Sequence, residues 1–283
     1  MVLLTILIPT YNYPNGVNRI LSHFSFSTNY NLEIIICDDS TNDNVSKIVQ
    51  IYSDIYGDKL KYFKNNQQLG AINNWNHLLE LSTGHYTLLL HHDEYPEKTS
   101  FVSDLLSILQ TNNYDILILG CLIKNNKSKN YYKHFPSFLQ RFLIKYFLTY
   151  IFRRNFIGPV SCIIVRTGLY PKFNINLNWF VDVSLYYELL KKNYKVVFLD
   201  NLNMFSIQNE HYTISKSLKH NLKNITINEK NILLTTINTK SNFWLFDKPM
   251  NVFYILENIL WKSFKVIYYM IWYFKKFKKN DRS

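Results

Sequence analysis

The stretch HYTLLLHHDEYPE, residues 85–97, joins an apolar run to a cluster of polar side chains. Tyr86, Thr87, Leu88, Leu89 and Leu90 have the length and the β-branched or aromatic content of a buried strand. The run stops at His91, His92, Asp93 and Glu94, four metal-capable side chains. That is the carboxyl end of a strand, where open α/β sheets place their ligands. A solvated turn closed by Pro96 reads the same way on this stretch alone, so the flanking sequence has to decide.

Upstream, LLTILI (3–8) is a continuous apolar run stopped by Pro9, Thr10, Tyr11 and Asn12, the pattern of a buried parallel strand entering a loop. Val17, Ile20, Leu21 and Phe24 then keep helical spacing. EIIICDDSTND (33–43) repeats the unit: a buried strand ends in Asp38 and Asp39, and cap-type residues precede the helical set Val45, Ile48, Val49 and Tyr52. Asp38 and Asp39, being adjacent at a strand end, point to opposite faces, so Asp38 is read as structural and only Asp39 as a candidate ligand residue. A third strand over 59–65 and a helix carrying Ile72, Trp75, Leu78 and Leu79, closed near Gly84, lead back to the opening stretch. The alternation predicts βαβ units and a doubly wound α/β sheet. Neither GxGxxG nor GxxxxGK[ST] occurs, which weakens the dinucleotide-dehydrogenase and P-loop classes.

TILIPTYN, EIIICDDSTND and LGAINNWNHLLELSTGHYTLLLHHDEYPE, in this order and spacing over residues 5–97, resemble the N-terminal half of the family 2 glycosyltransferases. The resemblance implies a GT-A fold: a Rossmann-like, mostly parallel sheet flanked by helices, with a nucleotide sugar across its carboxyl edge. It implies that Pro9, Thr10, Tyr11, Asp39, Asn74, His92 and Asp93 bind a UDP-sugar, with Tyr11 against the uracil and Asp39 on the base N–H. Asp93 matches the last aspartate of the family's Asp-x-Asp motif, whose first position here is His91. The implied cofactor is a divalent cation, Mn²⁺ in preference to Mg²⁺ because imidazoles stand beside Asp93. His211 matches a C-terminal histidine that completes the metal site in related enzymes. Asp182, opening a helix with Val183, Tyr186, Leu189 and Leu190, aligns with the catalytic base of the family's acidic motif, Val181 replacing the usual glutamate. The implied activity is inverting transfer of a sugar to a hydroxyl of a lipid-linked glycan in surface-polysaccharide synthesis, O-antigen or capsule, in a bacterium. The alternative is a catalytically inactive protein that binds a nucleotide sugar or nucleic acid.

Composition bounds these readings. The 283 residues carry a net charge of +12, with residues 1–100 holding 6 basic and 10 acidic side chains and residues 216–283 holding 13 and 4. A basic, aromatic-rich second half points to an anionic surface. No pattern of an RNA- or DNA-binding module accompanies it, so the expected partners are the sugar donor, the acceptor and a membrane, not nucleic acid. Cys37, Cys121 and Cys162 form no disulfide framework or metal knuckle, as expected in a reducing compartment. MVLLTILIPTYN lacks a basic n-region and is read as mature structure.

Residues 1–215 are expected to form the catalytic domain, 1–97 being the nucleotide-binding half and 98–215 the acceptor half. Residues 216–283 are expected to form a basic helical segment on the membrane, giving a peripheral location at the cytoplasmic face. In 138–154 (FLQRFLIKYFLTYIFRR) Arg141 and Lys145 interrupt a strongly apolar run. It reads either as a basic amphipathic helix, on a membrane or over an acceptor site, or as a core helix with snorkelling cations. The tail, from Val252 to Phe274 with lysines at 275, 276, 278 and 279, reads either as an interfacial helix or as a helix packed on the catalytic domain.

Overall fold

Two apolar runs, β1 (Leu4–Thr10) and β2 (Leu32–Asp38), are buried at every position and pair in parallel from Leu4 opposite Leu32 to Thr10 opposite Asp38. A strand buried on both faces has no reason to alternate, which is why these read as continuous hydrophobic sequence. The computed structural model describes residues 2–24, 31–125, 131–208 and 218–237. Apart from the last four residues of α7, the elements below belong to the first of two compact units, Met1–Leu233, the second being Leu234–Ser283.

Helix α1 (Pro14–His23) returns the chain from β1 to β2, and α2 (Asn44–Tyr56) from β2 to β3 (Leu60–Lys64). Helix α3 (Ala71–Leu81) then crosses back to β4 (Tyr86–Leu89), on the other side of β1. The winding direction therefore reverses between β1 and β4, and the carboxyl ends of β1, β2 and β4 open on a common crevice. After β4 come β5 (Glu94–Pro96), α4 (Phe101–Thr111), β6 (Ile116–Asn125), β7 (Tyr131–Lys133), α5 (Ser137–Tyr146), β8 (Ile163–Arg166), α6 (Val181–Leu190), β9 (Val196–Gln208) and α7 (Leu222–Ile237).

The nine-stranded sheet runs β3-β2-β1-β4-β8-β6-β9-β5, with β7 on β6. The expected α/β sheet flanked by helices is present. Its parallel character is confined to β3-β2-β1-β4 and the β6–β9 pair, because β8 lies antiparallel between β4 and β6, and β5 and β7 also pair antiparallel. Residues 138–154 are not one helix: α5 ends at Tyr146, and a 3₁₀ segment, Leu148–Phe152, follows. The helical phase that buries Leu143 would bury Phe147 next, yet Phe147 is exposed and the chain resumes its burial at Ile151 and Phe152. His211 and residues 238–283 lie outside the described residues. Among the described residues no helix is long and apolar enough to cross a membrane.

The edge of the sheet away from the crevice is tied by one carboxylate. Glu33 accepts hydrogen bonds from Thr5 Oγ1 (2.6 Å), Thr83 N and Oγ1 (2.9 and 2.7 Å) and Lys61 Nζ (2.7 Å), joining β1, β2, β3 and the turn before β4. Burial pushes its pKa up, but the bonds from Lys61, Thr5 and Thr83 outweigh this and leave it below the ordinary value. A carboxylate lowered on folding stabilises the fold above its unfolded pKa, and that contribution is lost as pH falls through the folded one. Glu33→Ala, which strands these donors, should cost roughly 2–3 kcal/mol at pH 7 and should flatten the acid limb of a stability profile below about pH 4.5. Denaturant melts across pH measure both, and parent-like stability at pH 7 would remove Glu33 from this role.

Candidate functional site

The crevice begins with the loop after β1. Asn12 adopts a left-handed conformation (φ 48°), which asparagine tolerates better than most residues. From there its amide N donates to Ser40 Oγ (2.7 Å), and its side-chain Oδ1 accepts from Thr41 N (3.1 Å) and Asn42 Nδ2 (3.0 Å). The loops after β1 and β2 are thus one structure. Tyr11 stands at the cavity rim 40% exposed, and the buried Thr10 Oγ1 has no hydrogen-bond partner among the described residues.

Asp38 and Asp39 face apart, as expected. Asp38 is consumed by Tyr62 OH (2.7 Å), Lys64 Nζ (3.3 Å) and Ser40 N (2.9 Å). Asp39 turns to the crevice and accepts from Asn65 Nδ2 (2.9 Å), Leu69 N (2.8 Å) and Gly70 N (2.9 Å). Two carboxylate oxygens offer about four acceptor positions, so Asp39 retains one while fixing the entry to α3. Gly70, at φ 79°, allows that turn. Asn74 lines the cavity too, but its amide bridges Cys37 O (3.2 Å) and Asn65 Nδ2 (3.0 Å).

The turn after β4 separates the two histidines. His91 lies on the Trp75 ring, centroids 4.6 Å apart at 33°, with Nδ1 3.7 Å from Glu94 Oε2. His92 turns away to meet Tyr13 edge-on at 5.2 Å, while its carbonyl accepts from Arg19 Nη2 at 3.3 Å. Only a glycine at position 16 leaves room for that carbonyl. Burial, with His92 second, lowers His91 to about 3, and burial, with Arg19 second, lowers His92 to about 4. Both imidazoles are therefore neutral at pH 7.

One ligand atom from each of His91, Asp93 and Glu94 falls within 4.8 Å of the others, and the buried His91 Nε2 has no hydrogen-bond partner among the described residues. Burial and the Asp93 charge push Glu94 well above its ordinary pKa, although Ser161 pulls it down in part. Neutral imidazole plus crowded carboxylates is a donor set that fits a divalent cation. The residues that could hold a cation are thus His91, Asp93 and Glu94, with His92 on another side of the same turn.

Asp182 arrives from the second half of the chain, in the first turn of α6. The approach to that helix is held by Glu229 of α7, a buried carboxylate accepting from the backbone N–H groups of Asn178 (2.5 Å), Trp179 (3.0 and 3.2 Å) and Phe180 (3.0 Å). These N–H groups belong to the three residues that lead into the helix, Phe180 being its N-cap. Burial first, and the Asp93 charge second, push Asp182 up to about 7. Asp93 and Asp182, 89 positions apart in sequence, therefore share one field. Pro9, Thr10, Tyr11, Asp39, Asn74, His92, Asp93 and Asp182 all line a single cavity of about 1550 Å³. His91 and Glu94, singled out from sequence only as metal-capable, line it as well, as do Trp75, Arg153, Trp179 and Phe180, which were not singled out as site residues.

The family described as glycosyl transferase family 2 matches residues 5–170, more than half of the chain. The chain belongs to that family. Among curated relatives, an uncharacterized glycosyltransferase of Mycoplasma genitalium is 26% identical over 204 residues, 71% of this chain and 60% of that protein. The Escherichia coli enzyme WfgD, a UDP-Glc:α-D-GlcNAc-diphosphoundecaprenol β-1,3-glucosyltransferase, is 25% identical over 193 residues, 68% of this chain and 71% of that enzyme. Abequosyltransferase RfbV of Salmonella typhimurium is 27% identical over 38% of this chain and 32% of its own. The chain thus spans 60% of the Mycoplasma relative and shorter shares of several others. Of solved structures, S. aureus TarS 1-349 in complex with UDP-GlcNAc superposes with a TM-score of 0.55 at 19% identity, covering 75% of this chain and 60% of that one. The Pyrobaculum calidifontis mannosyltransferase PcManGT, in complex with GDP-Man and Mn²⁺, gives 0.54 at 12% identity over 74% and 58%. These likenesses establish the family 2 glycosyltransferase fold.

The pKa of Asp182 has a consequence for stability. A carboxyl raised on folding stabilises the fold while protonated; that contribution is complete below its ordinary value of 3.8 and is lost as pH climbs through about 7. In chelator, Asp182→Asn should match the parent in melting temperature near pH 4 and exceed it by a few degrees at pH 8. Identical melting at pH 8 would place Asp182 outside the field described.

Proposed function

We propose that the protein is an inverting glycosyltransferase that moves a sugar from a UDP-sugar to a hydroxyl of a lipid-linked glycan during bacterial surface-polysaccharide synthesis. The observation that carries the reading is the raised carboxyl of Asp182 in the cavity that Asp93 and Tyr11 also line. A base whose pKa lies near the working pH is well matched to accept a proton during reaction. The acceptor oxygen attacks the anomeric carbon from the Asp182 side as the diphosphate leaves, and its proton passes to the Asp182 carboxylate. One displacement inverts the anomeric centre, with the oxocarbenium character of other glycosyl transfers.

On the donor side Tyr11 offers a ring for the base, and Thr10 Oγ1 and the remaining acceptor position of Asp39 offer polar contacts. His91, Asp93 and Glu94 are the residues that would hold a divalent cation, Mn²⁺ in preference to Mg²⁺ given the imidazole. When bound, that cation supplies positive charge against the charge building on the leaving diphosphate. The UDP donor is supported by the UDP-GlcNAc in the TarS structure, and the lipid-linked acceptor by the name of WfgD. A lipid-borne acceptor implies a peripheral position at the cytoplasmic face of the membrane.

Asp182→Asn should leave the UDP dissociation constant within a few-fold of the parent while turnover of UDP-sugar falls by about 10²–10⁴. Asp93→Ala should instead lose cation-stimulated turnover. Calorimetry and a UDP-release assay with Mn²⁺ and membrane acceptor measure these. Parent-like turnover of Asp182→Asn would leave the mechanism without a base, and release of UDP from no UDP-sugar by the parent would favour a binding protein.

A further inference from the structure

Helix α5 packs with one face only. Gln140 and Leu143 are buried, Gln140 donating to the Phe156 carbonyl at 2.8 Å. Phe138, Arg141, Phe142, Lys145 and Tyr146 recur at the i, i+3, i+4, i+7, i+8 spacing of a single helical stripe, and Phe147 continues it past the helix end. Phe138, Phe142, Tyr146 and Phe147 are 60, 49, 58 and 54% exposed. They are clustered already: Phe142 lies 5.3 Å from Tyr146 and 5.7 Å from Phe147, and the Lys145 ammonium sits 5.0 Å over the Tyr146 ring. A solvated helix carries polar residues on its outer face; this one carries aromatics interleaved with cations, and no carboxylate.

The charge around it identifies the occupant. Residues 116–181 contain ten Lys and Arg and not one Asp or Glu. Asp200, the carboxylate beside the start of α5, is taken by Lys133 (3.1 Å) and Ser137 (2.7 Å), and the Arg141 guanidinium, 4.4 Å over the Phe198 ring, adds only its charge to that field. A second copy of this surface would bring like charge to like, and residues 216–283, with 13 basic and 4 acidic side chains, carry the same sign. An anionic bilayer supplies what the stripe lacks on both counts: an apolar boundary for aromatic rings and phosphates for cations. Six residues of chain beyond Tyr146, Phe152 and Arg153 line the cavity, so the stripe runs into the crevice where an acceptor would react.

We propose that α5 is a membrane-docking ridge: Phe138, Phe142, Tyr146 and Phe147 enter the headgroup level of an anionic phospholipid surface, and Arg141 and Lys145 pair with its phosphates. This deepens the functional reading, which requires a lipid-borne acceptor. Binding is therefore measured without donor or acceptor, so that either idea can fail alone.

The full chain is sedimented with vesicles of phosphatidylcholine alone or mixed with phosphatidylglycerol. The parent should bind the mixed vesicles and not the neutral ones. Phe138→Ser with Phe142→Ser should weaken that binding at least about tenfold while leaving UDP affinity and melting temperature unchanged. Phe142→Trp should retain binding, and its emission less that of the parent, which removes the five native tryptophans, should shift to the blue on the anionic vesicles only. Parent-like binding by the double variant would overturn the proposal by assigning attachment elsewhere in the chain. Absence of parent binding, or an unmoved Phe142→Trp emission, would overturn it too. Salt-sensitive RNA binding that the double variant abolishes would give the ridge to nucleic acid instead.

Discussion

Everything in the crevice depends on carboxylates held close together, Glu94 buried and Asp93 and Asp182 half-buried. Asp93 and Glu94 come from the turn after β4, and Asp182 comes from α6; burial and their mutual repulsion raise the Glu94 and Asp182 carboxyls. Such an arrangement is unfavourable taken alone. It persists because both backbones are pinned by interactions elsewhere: β4 by β1 and β8, and the start of α6 by the three N–H groups that Glu229 collects. A cation among His91, Asp93 and Glu94 would lower this repulsion, and so would a proton on Asp182.

The fold puts this charge cluster beside a surface suited to a nucleotide. Reversal of the strand order between β1 and β4 opens the crevice, and Asn12 and Asp39 fasten the loops that form its wall. Neither of those two side chains needs to touch a ligand to matter. Without the Asn12 side chain the two loops lose its bonds to Thr41 and Asn42, and without Asp39 the start of α3 loses the acceptor of two backbone N–H groups. Glu33 does the corresponding work at the opposite edge of the sheet, where no chemistry is done.

Much of this was legible in the sequence for a physical reason. Strands buried on both faces must be apolar throughout, so β1, β2 and β4 announced themselves, and the polar residues that stop them fell at the carboxyl edge by topology. Asp93, Asp182, Tyr11 and Asp39 were found that way or through the family resemblance, and all of them line the one cavity. What escaped depends on turn geometry and long-range contact. Nothing local tells that His91 is the histidine with a ring nitrogen within 4.8 Å of the Asp93 and Glu94 oxygens, while His92 lines the same cavity. Glu94 was legible only as metal-capable by type; that it begins β5 and stands beside His91 and Asp93 depends on the fold of the turn. Glu229 is an ordinary helix glutamate until α7 meets the start of α6. The end of α5 at Tyr146 was hidden because aromatic residues continue beyond it, on the surface rather than in the core.

The direct test of the shared field is the carboxyl pKa of Asp182, followed by ¹³C NMR in chelator for the parent and for Asp93→Asn. The account predicts a value near 7 in the parent and a clear fall toward the ordinary aspartate range once the Asp93 charge is gone, with part of the elevation kept because burial remains. An Asp182 that titrates identically in both proteins would contradict it, since the two carboxylates would then not act on one another.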